Sequence, residues 1–189
     1  MSSETRRTEE PPVPASTENA SLLAFADHLL AAHKQEETRV SGEVQQHVTF
    51  LLHKQEFGIP ISHCREILRA GAITRIPEAP AEVRGVVNLR GRIVPVVDVR
   101  TCLGLDQAVV TAKTRLVVVE IAGRLFALLV DRVARILKLA SSQIDPSPDP
   151  ARHHAVTGQA KVGEAAIHIV DVERMLLSRP DMRSSADKE

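Results

Sequence analysis

Three times in this chain a glycine opens a short apolar run that closes on an aspartate. The runs are Gly91 to Asp98 (GRIVPVVD), Gly123 to Asp131 (GRLFALLVD) and Gly163 to Asp171 (GEAAIHIVD). Each is too short for a stable helix and rich in aliphatic and β-branched residues, so each reads as a strand entered from a tight turn. Two of them have a matching run just upstream: Val83 to Arg90 (VRGVVNLR) and Arg115 to Ile121 (RLVVVEI). The pairs predict hairpins. Val48, Phe50 and Leu52 alternate with polar residues, and Phe57 to Ile61 follows a short polar turn, which predicts two more strands. Many short strands at regular spacing predict an all-β barrel or sandwich. They fall into two sequence groups, 44–105 and 110–177, which predicts two small barrels packed together.

Local details carry further expectations. Pro95 cannot donate to a ladder, so it predicts an edge strand or a bulge. Cys64 to Arg69 (CREILR) reads as a short helix or a loop, with Glu66 on its surface. Arg75 to Pro80 is an extended, proline-punctuated connector. Glu173 to Leu177 reads as a short C-terminal helix. Residues 1–43 read as an extension. Its first 20 residues are polar and proline-bearing, which predicts disorder. Leu22, Phe25, Leu29, Leu30 and His33 recur at helical spacing, which predicts a short amphipathic helix over 21–34, and residues 35–43 read as linker. Residues 179–189 read as a polar tail.

Composition excludes several classes of function. There are four Phe and no Tyr or Trp, so the core is aliphatic and no base-stacking platform is available. The 24 basic and 24 acidic residues balance and are interspersed, unlike the basic stripe of a nucleic-acid binder. Cys64 and Cys102 form neither a redox pair nor a zinc-ligand spacing. The start of the sequence lacks a signal-peptide pattern, and the apolar stretch Leu22 to Ala32 is too short to span a bilayer. These features predict a cytoplasmic protein that does not insert into membranes.

No catalytic constellation emerges. Asp98, Asp131 and Asp171 could suggest a paired-carboxylate hydrolase, but none lies in the tight Asp-Thr-Gly or Asp-Ser-Gly loop which that chemistry uses. They read instead as strand-end caps. His153 and His154 precede His168 without converging ligands, so no metal is expected. Gly85 and Gly91 lack the Lys-Ser/Thr of a phosphate loop. No cofactor is expected, and the chain reads as a binding module. Asn88-Leu89-Arg90-Gly91 reads as a hairpin turn, with Gly91 supplying an unusual backbone angle.

A longer string is far more specific. Glu66-Ile67, Ile73 to Pro80 (ITRIPEAP), Val83 to Gly91 (VRGVVNLRG) and Ile93 to Arg100 (IVPVVDVR) together resemble the signature of the CheW family. The likeness continues through Leu128 to Val133 and Ile136-Leu137 to Val170 to Leu177, about residues 44–178. The resemblance implies two five-stranded SH3-like barrels around a shared core. It implies a non-catalytic adaptor that binds the hairpin tip of a methyl-accepting chemoreceptor in a groove between the barrels. It further implies binding to the regulatory domain of the CheA histidine kinase and to other CheW-like domains in array rings. Arg90 and Glu66 match positions implicated in receptor coupling, and Ile61, Cys64, Gly85 and Ile136 match groove-lining positions. Arg90 could present its guanidinium to the partner, or Glu66 could pair with Arg90 and hold it in place. The kinase-facing residues are not specified. The extension is a departure from the family: its helix could pack on the barrels, dock a further partner or belong to a weakly structured spacer, and its compact apolar face with polar flanks favours a further partner. A scaffold of a non-flagellar pathway is the alternative within the same class.

Overall fold

The structure is a computed structural model that describes residues 42–107, 109–147 and 154–177. The predicted helix at 21–34, most of the 1–43 extension and the 179–189 tail lie outside these residues. The described chain is all-β, with two sheets and only short helical turns. Its strands are β1 (Val44–Leu52), β2 (Gln55–Pro60), β3 (Cys64–Arg69), β4 (Val83–Leu89), β5 (Arg92–Asp98), β6 (Arg115–Ile121), β7 (Arg124–Val130), β8 (Arg132–Ala140), β9 (Ile144–Pro146), β10 (Val156–Val162) and β11 (Ala165–Val170). Helix α1 (Val99–Cys102) follows β5 and helix α2 (Val172–Leu177) follows β11.

The first sheet has the order β8-β1-β2-β11-β10-β9, and the second β3-β6-β7-β5-β4. Their topologies match strand for strand. In each, a hairpin (β1-β2 or β6-β7) is flanked by an antiparallel edge strand (β8 or β3). On its other side lies a parallel strand (β11 or β5) from a second hairpin. The three-residue β9 is the one strand beyond five. The two sequence groups are real repeats, but they do not correspond to the two sheets. Each sheet takes the first hairpin of one repeat and the remaining strands of the other. The halves are therefore interlocked, and neither can complete its sheet alone.

Three apolar clusters account for the burial. The central one lies between the sheets and joins Val48, Phe50, Leu52 and Ile59 of the first to Val117, Val119, Leu128 and Val130 of the second, with Met175 and Leu176 of α2. A second fills the concave face of the second sheet around Val94, Val96, Leu116, Val118 and Leu129. A third, with Leu139, Ala160, Ile167 and Ile169, does the same for the first sheet. β6 and β7 are thus covered on both faces, which is why their sequences run apolar without alternation.

Two local expectations are corrected. Cys64 to Arg69 is strand β3, neither helix nor loop, because its backbone pairs with β6 some fifty residues away in sequence. Tertiary pairing overrides the helix-forming Glu, Leu and Arg. Pro95 lies in β5, an interior strand with β7 and β4 on its two sides. It is tolerated because the β5–β7 ladder begins one residue later, at Val96.

Candidate functional site

The second sheet curls until its edge strands β3 and β4 approach each other, and the connector between them closes the seam. Thr74 exchanges both backbone hydrogen bonds with Val86 of β4, at 2.9 and 2.8 Å. Gly85 sits beneath this bridge at φ 142°, where a Cβ would lie 2.1 Å from the Thr74 carbonyl oxygen. Gly85 is buried and presents no side chain to a partner. What it contributes is the close approach of the seam.

Above the seam the hairpin β4–β5 turns through Arg90 and Gly91, at φ 53° and 85°. Both central residues are left-handed, as a type I′ turn requires. The Asn88 side-chain oxygen accepts from the Gly91 N–H at 2.8 Å and clamps the turn. Arg90 pays roughly 1 kcal/mol for a conformation that glycine or asparagine adopts freely. In return its guanidinium reaches across the seam and donates to Glu66 Oε2 at 3.0 Å. The sequence left open whether Arg90 faces a partner or pairs with Glu66. The structure shows the pair, and it also leaves the Arg90 side chain 80 % exposed while Glu66 is only 24 % exposed. Glu66 is the anchored half and Arg90 the presented half.

A bulge in β3 aims these residues. Cys64 pairs with Val119, which faces the central core, whereas Glu66 pairs with Val118, which faces the second sheet's own core. Residues two apart in an unbroken strand would share a face; the extra residue, Arg65, puts them on opposite faces. Arg65 is itself held by Glu120 at 2.9 Å. β4 repeats the device. Its bulge falls between Val83 and Gly85, and the extra residue Arg84 lies 3.8 Å from the buried Asp98.

The remaining predicted site residues rim the central core. Ile61, in the 3-10 turn Ile61–His63 between β2 and β3, and Cys64 are partly buried against it. Ile136 of edge strand β8 is 57 % exposed and sits across from the buried Val48. Val44, on the same face of β1 as Val48, is also exposed. The result is an apolar rim where the two sheets meet, with the Arg90–Glu66 pair on the second sheet. Surface depressions of roughly 400 and 300 Å³ occur elsewhere, around Arg75 to Arg84 and around Arg100 and Lys113. A rim of apolar side chains with a presented cation suits a protein partner better than an enclosed small molecule.

The strand-end aspartates are occupied structurally. Asp98 caps α1 by accepting from the Arg100 N–H at 3.0 Å, and Asp171 caps α2 by accepting from the Arg174 N–H at 2.9 Å. Asp131 binds the Arg100 guanidinium and the His53 backbone N–H. Burial pushes the Cys64 thiol up, and burial with the nearby Asp98 charge pushes Cys102 up to about 12, so neither is a ready thiolate. His168 packs its ring on Phe57, with centroids 5.2 Å apart. Among the described residues no three His, Cys, Asp or Glu side chains converge to hold a metal, and no helix is long and apolar enough to cross a membrane.

Two interlocked β-sheets of matching topology, with the strand-end aspartates engaged as helix caps and in an ion pair, define a double-sheet all-β module. Comparison with known proteins makes this specific. The CheW-like domain family matches residues 46–179. The chain is 34 % identical over 146 residues to the chemotaxis protein CheW of Klebsiella aerogenes, covering 75 % of this chain and 88 % of that one. It is 28 % identical over 136 residues to the protein FrzA of Myxococcus xanthus, covering 70 % and 85 %. The crystal structure of the scaffolding protein TtCheW from Thermoanaerobacter tengcongensis superposes with a TM-score of 0.65 at 29 % identity, covering 71 % of this chain and 88 % of that one. The chain belongs to the CheW family, whose members are non-catalytic scaffolding proteins of chemotaxis that couple receptors to the CheA kinase.

Proposed function

We propose that this chain works in the cytoplasm, where it seats the hairpin tip of a methyl-accepting chemoreceptor against the rim of Ile61, Cys64 and Ile136. In this reading Arg90 supplies the polar contact that fixes the tip's register. A helical hairpin presents an apolar stripe, and such a stripe fits an apolar rim flanked by one or two charged groups. The carrying observation is the asymmetric ion pair: Glu66, mostly covered, holds Arg90, mostly exposed, at 3.0 Å. The guanidinium has further N–H donors pointing outward for a carboxylate or carbonyl of the tip.

The second partner is the regulatory domain of CheA, and further copies of CheW-like domains complete rings in which weak contacts gain strength through avidity. Residues 44–178 form the coupling module in this reading, and residues 1–43 supply sequence for an additional partner. The test is calorimetric titration of a receptor-tip hairpin into the wild-type chain, Arg90→Ala and Glu66→Gln. Both variants should bind at least several-fold more weakly while melting near the wild type. Unchanged affinity in both would remove the pair from the interface.

A further inference from the structure

At the end of the central core where β7 passes into β8, the Asp131 carboxylate ties the two sheets together. Asp131 is the residue through which β7 of the second sheet passes into β8 of the first. It accepts from Arg100 Nε at 2.9 Å and also from Arg100 Nη2, and Arg100 belongs to α1, which continues β5 of the second sheet. The same carboxylate accepts from the backbone N–H of His53 at 2.7 Å, in the turn between β1 and β2 of the first sheet. Three chain segments from both sheets therefore converge on one group. Its side chain is 23 % exposed and that of Arg100 17 %, so the pair is sheltered from the screening that weakens surface ion pairs. The hydrogen bond to Asp131 holds the Arg100 guanidinium more firmly charged than usual, with burial opposing.

This clasp is remote from the rim. Ile136 is paired with Val48, and His53 follows the end of β1 five residues beyond Val48, roughly 17 Å away at strand spacing. Between them the sheets touch through apolar side chains, aliphatic ones together with Phe50, Phe57 and Phe126. Such contacts are non-directional and permit small slides and tilts. A forked guanidinium–carboxylate pair is directional in both distance and angle. The angular information at this end of the sheet–sheet junction therefore resides in the clasp.

We propose that the Arg100–Asp131–His53 clasp is the fulcrum that fixes the angle between the two sheets and thereby the aperture of the rim formed by Ile61, Cys64 and Ile136. Arg100 and Asp131 are positioning residues: they act on the partner through the geometry of the rim and touch no part of it. The functional half of this inference rests on the rim being the receptor surface; the structural half does not.

The experiment uses the full chain and two conservative variants. Asp131→Asn keeps the shape and removes the charge; Arg100→Lys keeps the charge and removes the fork. Residual dipolar couplings of backbone amides in the free protein report the orientation of one sheet relative to the other. Calorimetry with a purified receptor-tip hairpin reports affinity. Ile167→Val, in the first sheet's own core, is a destabilised control that leaves the sheet–sheet junction untouched. Both clasp variants should keep each sheet's internal couplings and change the relative orientation. They should also weaken tip binding about threefold to tenfold, and the control should do neither. If one clasp variant fails to fold, the other carries the same comparison. Unchanged orientation in the folded clasp variants overturns the fulcrum, as does a changed orientation with unchanged affinity. A wild-type chain that does not bind the tip overturns the rim as receptor surface, while the orientation measurement still judges the clasp.

Discussion

Gly85→Ala should cost this protein a large share of its stability, although the substitution adds one methyl group. The added Cβ would lie 2.1 Å from the Thr74 oxygen and 2.8 Å from its carbonyl carbon, both backbone atoms that cannot rotate away. The seam must open, which removes the two hydrogen bonds between Thr74 and Val86. Each contributes about 0.5–1.5 kcal/mol, and forcing a side chain to φ 142° adds about 1–3 kcal/mol. The expected loss is roughly 2–6 kcal/mol against a typical domain stability of about 5–15. Denaturant unfolding followed by far-ultraviolet circular dichroism measures it, since the absence of Trp and Tyr removes the usual fluorescence signal. Truncating neighbouring side chains, as in Ile73→Ala, should not rescue the variant, because the obstruction is backbone. A loss below about 1 kcal/mol would refute the close approach. So would rescue by truncation. Any defect of Gly85 variants in receptor coupling is then a consequence of a distorted seam beneath Arg90, not of a lost contact.

Other predictions follow from the same geometry. Arg90→Ala removes a pair whose arginine is mostly in solvent, so stability should change by less than about 1 kcal/mol while receptor-tip affinity falls; a large stability loss would mean that the pair is needed to close the sheet. His47 is buried on β1 with its Nδ1–H donating to the Gln45 carbonyl at 3.2 Å, and burial lowers its pKa below the ordinary 6.5 despite that bond. The folded state therefore favours the neutral ring, and the unfolded chain takes up the proton first. Stability should fall as pH drops below about 6.5 and level off beneath the folded pKa; His47→Gln should flatten that segment, and an identical slope in both proteins would rule out His47 as its source. Cys102, pushed up to about 12, should resist iodoacetamide at pH 8 in the native protein and react on unfolding; rapid native labelling at Cys102 would contradict its burial.

Much of this architecture was legible because local signals coincide with it. Arg90-Gly91 and Ala122-Gly123 both form two-residue turns at positive φ, and the glycines marked them in the sequence. The strand-end aspartates were read as caps, and Asp98 and Asp171 cap α1 and α2. What the sequence hid is non-local. Nothing in residues 44–60 indicates that β1 and β2 complete a sheet with β8 and β11, distant strands of the second repeat. CREILR became a strand only through β6. The bulges at Arg65 and Arg84 cannot be seen as period breaks in strands this short, yet the one at Arg65 decides that Cys64 faces one core and Glu66 the other. The sequence offered the Glu66–Arg90 pair as one of two readings, and choosing it required knowing that the sheet curls until its edges meet. The resemblance to the CheW family named both residues, but only the fold shows why they are neighbours.

The most direct test of the coupling account is whether one molecule holds both partners at once. The chain is saturated with the regulatory domain of its kinase, and the complex is then titrated with the receptor-tip hairpin in a calorimeter. The account predicts saturable one-to-one binding in both steps, with the tip affinity of the complex close to that of the free chain or tighter. Displacement of the kinase domain by the tip, or the absence of binding to either, would contradict it.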